Sequence, residues 1–372
     1  MQRSVDFKPG LDANAAIDRA LTSAADNIDG QMHRVFYPSN DTRYFDWPNQ
    51  GGSGGGQYAQ PWRLWLNEND LTCMSALVAG GVSIPLSAIF LEPVNNPAKG
   101  LPYYTYLELD RSQSYAFGNT SQTPQHSIAI TGEPWGYGAD ADPAGTLAAD
   151  AGDSDVTITA SDGSRFGPGD LIILGYGRGP APFPGAYGYA GSIAPYLGER
   201  ILVTDVAPVS TGLTQSGGGV STASSGDNAL STTGSGALNA GEVIVLDAER
   251  MLIQEIIGAN AIVKRAWDGT YLAAHSSATV YAYRTLSVLR GQLGTTAASH
   301  SSSAAVGRHR VPSLIRDLSI AECLNQVLQE GSGYARTVGQ GETAMPAPGI
   351  GLAEKWDEAR TTYGRKARMA TI

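Results

Sequence analysis

Charge is scarce in this sequence, and so is cysteine. Only 16% of its 372 residues are charged, against roughly a quarter in ordinary soluble domains. Such a chain either spends its surface on many short strands and turns or hides part of that surface in an assembly. The 46 glycines point the same way. The two cysteines, Cys73 and Cys323, lie far apart and form no metal-ligand spacing. They read as buried free thiols in a reducing compartment rather than a disulfide framework. No apolar run approaches the ~20 residues of a membrane span, and the opening "MQRSVDFKPGLDANAAIDRAL" carries no apolar signal core. No basic face with interleaved aromatics is present, which argues against sequence-specific nucleic-acid binding.

Catalytic constellations are missing too. A nucleophile needs a strained turn, a base and an orienting carboxylate, and neither cysteine sits beside glycine or histidine. The histidines are His33, His126, His275, His300 and His309, too few and too scattered to complete a metal site. "DADPAG" at Asp140 fails as a calcium loop: Gly145 fits, but Ala144 and Ala151 stand where oxygen ligands belong. It reads as a solvated acidic loop. "GYGRGP" at Gly175 has the glycines of a phosphate loop without its lysine or helix. The carboxylates of "DAGDSD" allow a polysaccharide-degrading enzyme as a distant reading. The expectation is a protein without catalysis, metal or cofactor.

What the chain does contain is a segregated charge and a repeat. Between Glu133 and Ile262 fifteen acids face four arginines, a net −11. The remainder holds twenty acids and twenty-one bases, or +1, against −10 overall. One segment thus carries the acidity, as a separate module would. Within it "RAWDGTYLAAHSSATV" from Arg265 is echoed by "RGQLGTTAASHSSSAAV" from Arg290. Arg265 and His275 recur as Arg290 and His300, which reads as one piece of architecture used twice. Each histidine is expected to fix its loop by a hydrogen bond to a backbone carbonyl.

Periodicity organises the rest. Ile17, Leu21, Ala24 and Ile28 recur at helical steps, with Gly30 as a possible stop. An extended aromatic arm and the loop "QGGSGGGQ" follow. From Trp62 to Tyr137 the pattern alternates as short strands. The acidic segment then repeats a Gly-acid turn followed by an apolar strand, as in "GDLIIL", "GERILV" and "GEVIVL". Its halves are separated by "TGLTQSGGGVSTASSGDNALSTTGSGALNA", read as a loop too polar to pack. Helix returns with Leu314, Ile315, Leu318, Ala321, Leu324 and Leu328 on one stripe, then with Leu352, Trp356, Ala359 and Tyr363. The basic tail contains Arg365, Lys366 and Arg368, either a solvated end or a docking segment.

The order of these pieces resembles the head-to-tail adaptor (connector) proteins of long-tailed bacteriophages. The resemblance rests on "AAIDRALTSAADNIDGQMHRVFYPSNDTRYFD", on "LWLNENDLTCMSALVAGG", "FLEPVNN" and "ITGEPWGY", and on "VPSLIRDLSIAECLNQVLQEGSGYARTVG" with "GIGLAEKWDEARTTYGRKARM". These cover slightly more than half of the chain. The remainder is an insertion similar to β modules of other phage neck and tail proteins. The resemblance implies an α+β fold: a small α-helical bundle of N- and C-terminal helices, a small β unit and a large inserted all-β domain. The divisions are 1–60, helix and arm; 61–137, β unit; 138–310, inserted acidic domain; 311–372, C-terminal helices and basic tail packing with the first helix.

Functionally it implies a virion protein of the neck, assembled in the bacterial cytoplasm. It would form a homo-oligomeric ring of twelve copies below the portal protein and above a stopper or tail-completion protein. Genomic DNA would pass through the lumen without sequence-specific binding, and no membrane is involved. Ring packing would fall to Ile17, Leu21, Ile28, Leu314, Leu318, Leu324, Leu328, Trp356 and Tyr363, and portal docking to Arg365, Lys366, Arg368, Met369 and Ile372. The alternative is a baseplate or tail-tip protein whose β module binds a receptor or glycan through Tyr176, Phe183, Tyr187, Tyr189 and Tyr196.

Overall fold

A computed structural model describes residues 11–48, 62–95, 103–117, 123, 125–137, 140–175, 198–217, 220–258, 260–331, 337–338, 345–346 and 350–365. The fold is α+β with a large β domain. The chain divides into two compact units: Met1–Ala139 with Phe183–Gly188 and Val311–Ile372, and Asp140–Pro182 with Tyr189–Arg310.

In the first unit, helix α1 (Leu11–Met32) runs through Gly30 rather than stopping there. Gly30 has open space around it, while Met32 two residues on is completely buried, and that burial carries the last turn. The stop is His33, in the left-handed conformation at φ 51°. The Arg34 amide then donates back to the Asp29 carbonyl, closing a Schellman cap.

The aromatic arm is not free. Residues Ser39–Phe45 form strand β1, which enters a sheet of order β1-β7-β3-β4, with β3 at Met74–Ala79, β4 at Val82–Ser83 and β7 at Ile128–Trp135. A second sheet, β2-β6-β5, is formed by Arg63–Trp65, Tyr106–Leu109 and Ile89–Glu92. Leu66, Leu71, Leu77, Leu107, Ile130 and Trp135 fill the core of this β unit with no exposed surface. Gly132 is required there, since a Cβ would sit 2.3 Å from the Trp135 indole nitrogen.

Helices α2 (Ser313–Gly331) and α3 (Ile350–Tyr363) belong to the same unit. Ala20 and Ala24 of α1 pack with Cys323 and Val327 of α2. Ile28, Met32, Ile315, Leu318, Trp356 and Ala359 form an adjoining cluster, so residues from both ends of the chain share one core.

The second unit is two barrels, one nested in the other. Its strands are β8 (Asp140–Thr146), β9 (Thr157–Thr159), β10 (Leu171–Leu174), β11 (Glu199–Gln215), β12 (Ala229–Gly234), β13 (Val243–Leu246), β14 (Glu249–Ile257), β15 (Asn260–Lys264), β16 (Thr279–Leu289) and β17 (Ala305–Arg310). The ring β8-β17-β10-β11-β16-β9 closes through the Leu147–Ala160 bridge. The ring β11-β12-β15-β14-β13-β16 closes because the long strands β11 and β16 also pair with each other.

Each barrel reads as the same six strands in the same order. The nested copy is spliced between the fourth and fifth strands of the first. The second half of β11 opens it, and the first half of β16 ends it. The two cores correspond: Ile172 and Leu174 match Ile244 and Leu246, Ile201 and Val203 match Met251 and Ile253, and Leu286 and Val288 match Ala261 and Val263.

Two expectations fail here. The segment from Thr211 is not an unpacked loop: it completes β11, contributes β12, and buries Val220 and Leu230 fully. A barrel strand needs an apolar residue only at alternate positions, so Gly, Ser and Thr can occupy the outer face. "DADPAG" is likewise no solvated loop, since its backbone pairs with β17 from Asp140↔Arg310 to Thr146↔Ala305.

Val206 and Leu286 are cross-strand partners, so an Asn-Gly turn between them can replace residues 207–285. The shortened chain should retain the first barrel, read as cooperative thermal unfolding with dispersed methyl signals for Ile172 and Val306. Collapse of those signals would show that the first barrel depends on the nested one.

Candidate functional site

The repeat has a chemical centre that the repeated segments only half contain. The fourth strand of each barrel begins with a Glu-Arg pair, Glu199-Arg200 or Glu249-Arg250. The fifth strand delivers an arginine, and the loop after it returns a histidine. In the nested barrel Arg265 grips Glu249 with Nε and Nη2, both at 2.7 Å. The amides of Ala266 and Ala273 donate to the same carboxylate at 2.9 and 3.0 Å, and His275 Nε2 lies 3.0 Å from Oε2. In the first barrel Arg290 grips Glu199 at 2.7 and 2.5 Å. The amides of Gly291 and Ala298 follow at 3.0 and 3.1 Å, with His300 Nε2 at 3.1 Å.

The loop geometry explains the sequence spacing. The residue after each arginine is left-handed, Ala266 at φ 51° and Gly291 at φ 61°, and turns its amide onto the carboxylate. A single 3-10 turn follows, closed by Thr270 or Thr295, whose hydroxyl donates to Trp267 or Gln292 and accepts from the amide of Arg250 or Arg200. The third guanidinium nitrogen reaches back to the loop between the first two strands. Arg265 Nη1 donates to the carbonyls of Thr222 and Asp227, and Arg290 Nη1 to those of Gly152 and Asp155. Two loops of each barrel are thereby tied to the head of its fourth strand.

The histidines bond carboxylates with their rings, not carbonyls as the sequence suggested. Only their backbone amides meet carbonyls, His275 on Val220 and His300 on Ala151. The copies differ at one contact. His275 Nδ1 lies 2.7 Å from Asp247, whereas the corresponding position in the first barrel is Gly175, which lies against the His300 ring.

These groups are buried and bonded to one another. The side chains of Arg265, Glu249 and His275 are at most 1% exposed, and the bonds above occupy both Glu249 oxygens. Burial pushes the Glu249 carboxyl up, but Arg265, His275 and the two amides outweigh it and bring it down to about 2. Glu199 is lowered by the same kind of set, with Arg290 foremost against its burial. Among the described residues no group of His, Cys, Asp or Glu side chains is placed to hold a metal. A third carboxylate, Glu242, receives Arg284 at 2.7 and 2.6 Å and also the amides of Gly163 and Asn239. Since Gly163 belongs to the first barrel, Glu242 ties the two barrels together.

The first unit has a comparable centre at Asp70, which is 4% exposed. Arg34 Nε lies 3.3 Å from it on one side, and Arg365 bonds it on the other while also donating to the Asn67 carbonyl. Arg34 stacks over Tyr103 and Tyr137 at 4.2 and 4.7 Å. Burial raises the Asp70 carboxyl, and the two arginines oppose that. Arg365, expected in the docking tail, is thus bonded within its own unit. Lys366, Arg368, Met369 and Ile372 lie outside the described residues, as do Tyr176, Phe183, Tyr187, Tyr189 and Tyr196.

Of the helix residues, Ile28, Leu318 and Trp356 are buried, and Ile17, Leu314 and Tyr363 are partly buried against the same clusters. Leu324 is half-buried, while Leu21 and Leu328 are exposed. The inward stripe of α2 is Ile315, Leu318, Cys323 and Val327, rotated from the one the leucines suggest. Comparison with protein-family models, curated proteins and solved structures finds no match.

The sequence reading missed Glu199, Glu249, Asp247, Glu242 and Asp70. The signal for two of them was the Glu-Arg dipeptide standing once at the head of each barrel's fourth strand. Glu249→Gln should destabilise the second unit by about 3 kcal/mol, since it leaves Arg265 buried without its charge partner; calorimetry checks this. Because the folded Glu249 carboxyl lies at about 2 instead of 4.5, its contribution is complete above about pH 4.5. It drains away as pH falls toward 2, which an acid titration of the Gln variant against the parent resolves. In the first unit, Arg365→Ala should cost about 2 kcal/mol by leaving Asp70 short of a partner.

Proposed function

We propose that this chain is a structural head-to-tail adaptor of a phage neck. In this reading α1, α2 and α3 are the small helical bundle, and the chain acts through assembly rather than catalysis. The observation that carries it is the shared core of the two chain ends: the polypeptide leaves the first unit near Ala139, builds the acidic barrels, and returns at Val311 to pack α2 on α1. This connectivity supports the reading of a core with an insertion.

The helices also keep apolar surface unused. Leu21 on α1 and Ile320 and Leu328 on α2 are 36%, 40% and 44% exposed. Ile320, Leu324 and Leu328 follow each other at i, i+4 spacing on the side of α2 turned from its buried stripe. Such a stripe suits a neighbouring copy in a ring closed by heterologous contacts. The portal protein would sit above this ring and a stopper or tail-completion protein below, with DNA in the lumen. The overall charge of −10 suits a wall that must not grip phosphates.

Mass photometry and negative-stain microscopy of the purified chain should show rings of twelve copies. The double variant Ile320→Glu, Leu328→Glu should run as a monomer with unaltered thermal unfolding. A parent protein that stays monomeric at micromolar concentration, alone and with the portal protein, would defeat the reading.

A further inference from the structure

A cavity of about 280 Å³ opens along the seam between the two barrels. Phe166 and Val206 line it from the first barrel, and Arg250, Trp267, Asp268 and Tyr283 from the nested one. Its volume lies at the small end of the range for ligand pockets, the size of a single ring or two rather than a cofactor.

Comparison between the two copies separates residues the barrel needs from residues it does not. The Arg-Glu-His centre is present in both. The rim of the cavity is not. Trp267 and Asp268 occupy the 3-10 turn where the first barrel has Gln292 and Leu293, and Asp268 and Leu293 take the same left-handed backbone, φ 55° and 52°. The turn therefore forms without tryptophan or aspartate. Arg250 stands where the first barrel places Arg200, which is fully buried, whereas the Arg250 side chain is 42% exposed. The nested copy thus lines the cavity with an aromatic and an acid where the first barrel has Gln292 and Leu293, beside an arginine that both copies share but that is partly exposed only here.

Their arrangement defines the ligand. Arg250 Nη1 bonds Asp268 at 2.9 Å, and its guanidinium lies 5.5 Å from the Tyr283 ring centre. The pair is neutral as a whole, so an anion would face the Asp268 carboxylate for every contact it made with Arg250. A hydroxyl can instead donate to the aspartate while accepting from the arginine. Phe166 and Trp267, the latter with the Lys264 ammonium 4.9 Å from its ring centre, supply ring surface for the C–H face of a sugar. We propose that this cavity binds a neutral saccharide, with ring carbons against Trp267 and adjacent hydroxyls on the Arg250–Asp268 pair. This proposal does not rest on the adaptor reading.

The test is saturation-transfer NMR and calorimetry on the full chain. The probes are glucose, galactose, mannose, N-acetylglucosamine and their disaccharides, with glucose 6-phosphate as the anionic control. At least one neutral sugar should bind with millimolar affinity. The double variant Trp267→Gln, Asp268→Leu installs residues that the same turn already carries in the first barrel. It should weaken that binding by about tenfold or more, with melting temperature and oligomeric state unchanged. Asp268→Asn, which keeps the side-chain shape, should weaken it in the same direction. Absence of any neutral-sugar signal, equal binding by both variants, or binding of the phosphorylated sugar alone overturns the proposal. Oligomeric state, measured on the same samples, reports separately on the adaptor reading.

Discussion

A buried carboxylate met by one arginine and two backbone amides is the constraint around which the second unit is organised. A lone charge in an apolar interior costs far more than a domain can spare, and it is tolerated only when fully surrounded by donors. Glu199 and Glu249 each receive that full set. The donors come from a single loop, 265–275 or 290–300, and the arginine also bonds a second loop, so satisfying the charge fixes both loops to the head of the fourth strand. The histidine completes the ring of partners. Its presence in both copies follows from this need, and a wrong register of either fifth strand would strand a carboxylate in the core.

The same logic explains which parts of the fold were legible. The alternation of β7, the apolar run of β10 and the helical periodicity of α1 and α3 are local patterns, and each element covers its pattern, α1 continuing past Gly30 to Met32. The Arg265 and Arg290 segments are also visibly duplicated. Their meaning was not visible, because the partner glutamates sit 16 and 91 residues away from their arginines. No local pattern encodes such a pairing. The nested copy lengthens one of the two separations and hides the equivalence. The polar stretch after Thr211 misled for another reason: its sparse apolar residues include Leu213, Val220 and Leu230, and a closed barrel buries each of these. In α2 the leucines suggested one face, while the small side chains of α1, Ala20 and Ala24, allow Cys323 and Val327 to approach from another.

Both units use arginine–carboxylate pairs to secure junctions, yet at different places. In the first, Arg34 and Arg365 meet at Asp70, so the end of α3 is fastened to the β unit beside the cap of α1. In the second, Glu242 and Arg284 fasten a nested barrel onto the Gly163 turn of the first, where a Cβ would strike the Tyr283 carbonyl at 1.8 Å. Where the barrels meet, the two copies differ in their turn residues, Trp267 and Asp268 against Gln292 and Leu293.

The sharing of β11 and β16 also sets an order of events. Every strand of the nested barrel lies within one continuous stretch, from the latter part of β11 to the early part of β16, so its contacts are short in sequence. The first barrel cannot join its fourth strand to its fifth until that stretch has closed, because loop-closure entropy over the whole insertion opposes the pairing. Once the nested barrel is formed, its two ends emerge side by side as cross-strand neighbours, already in register. The inserted copy thus works as a folding clamp for its predecessor, converting a long-range encounter into a local one.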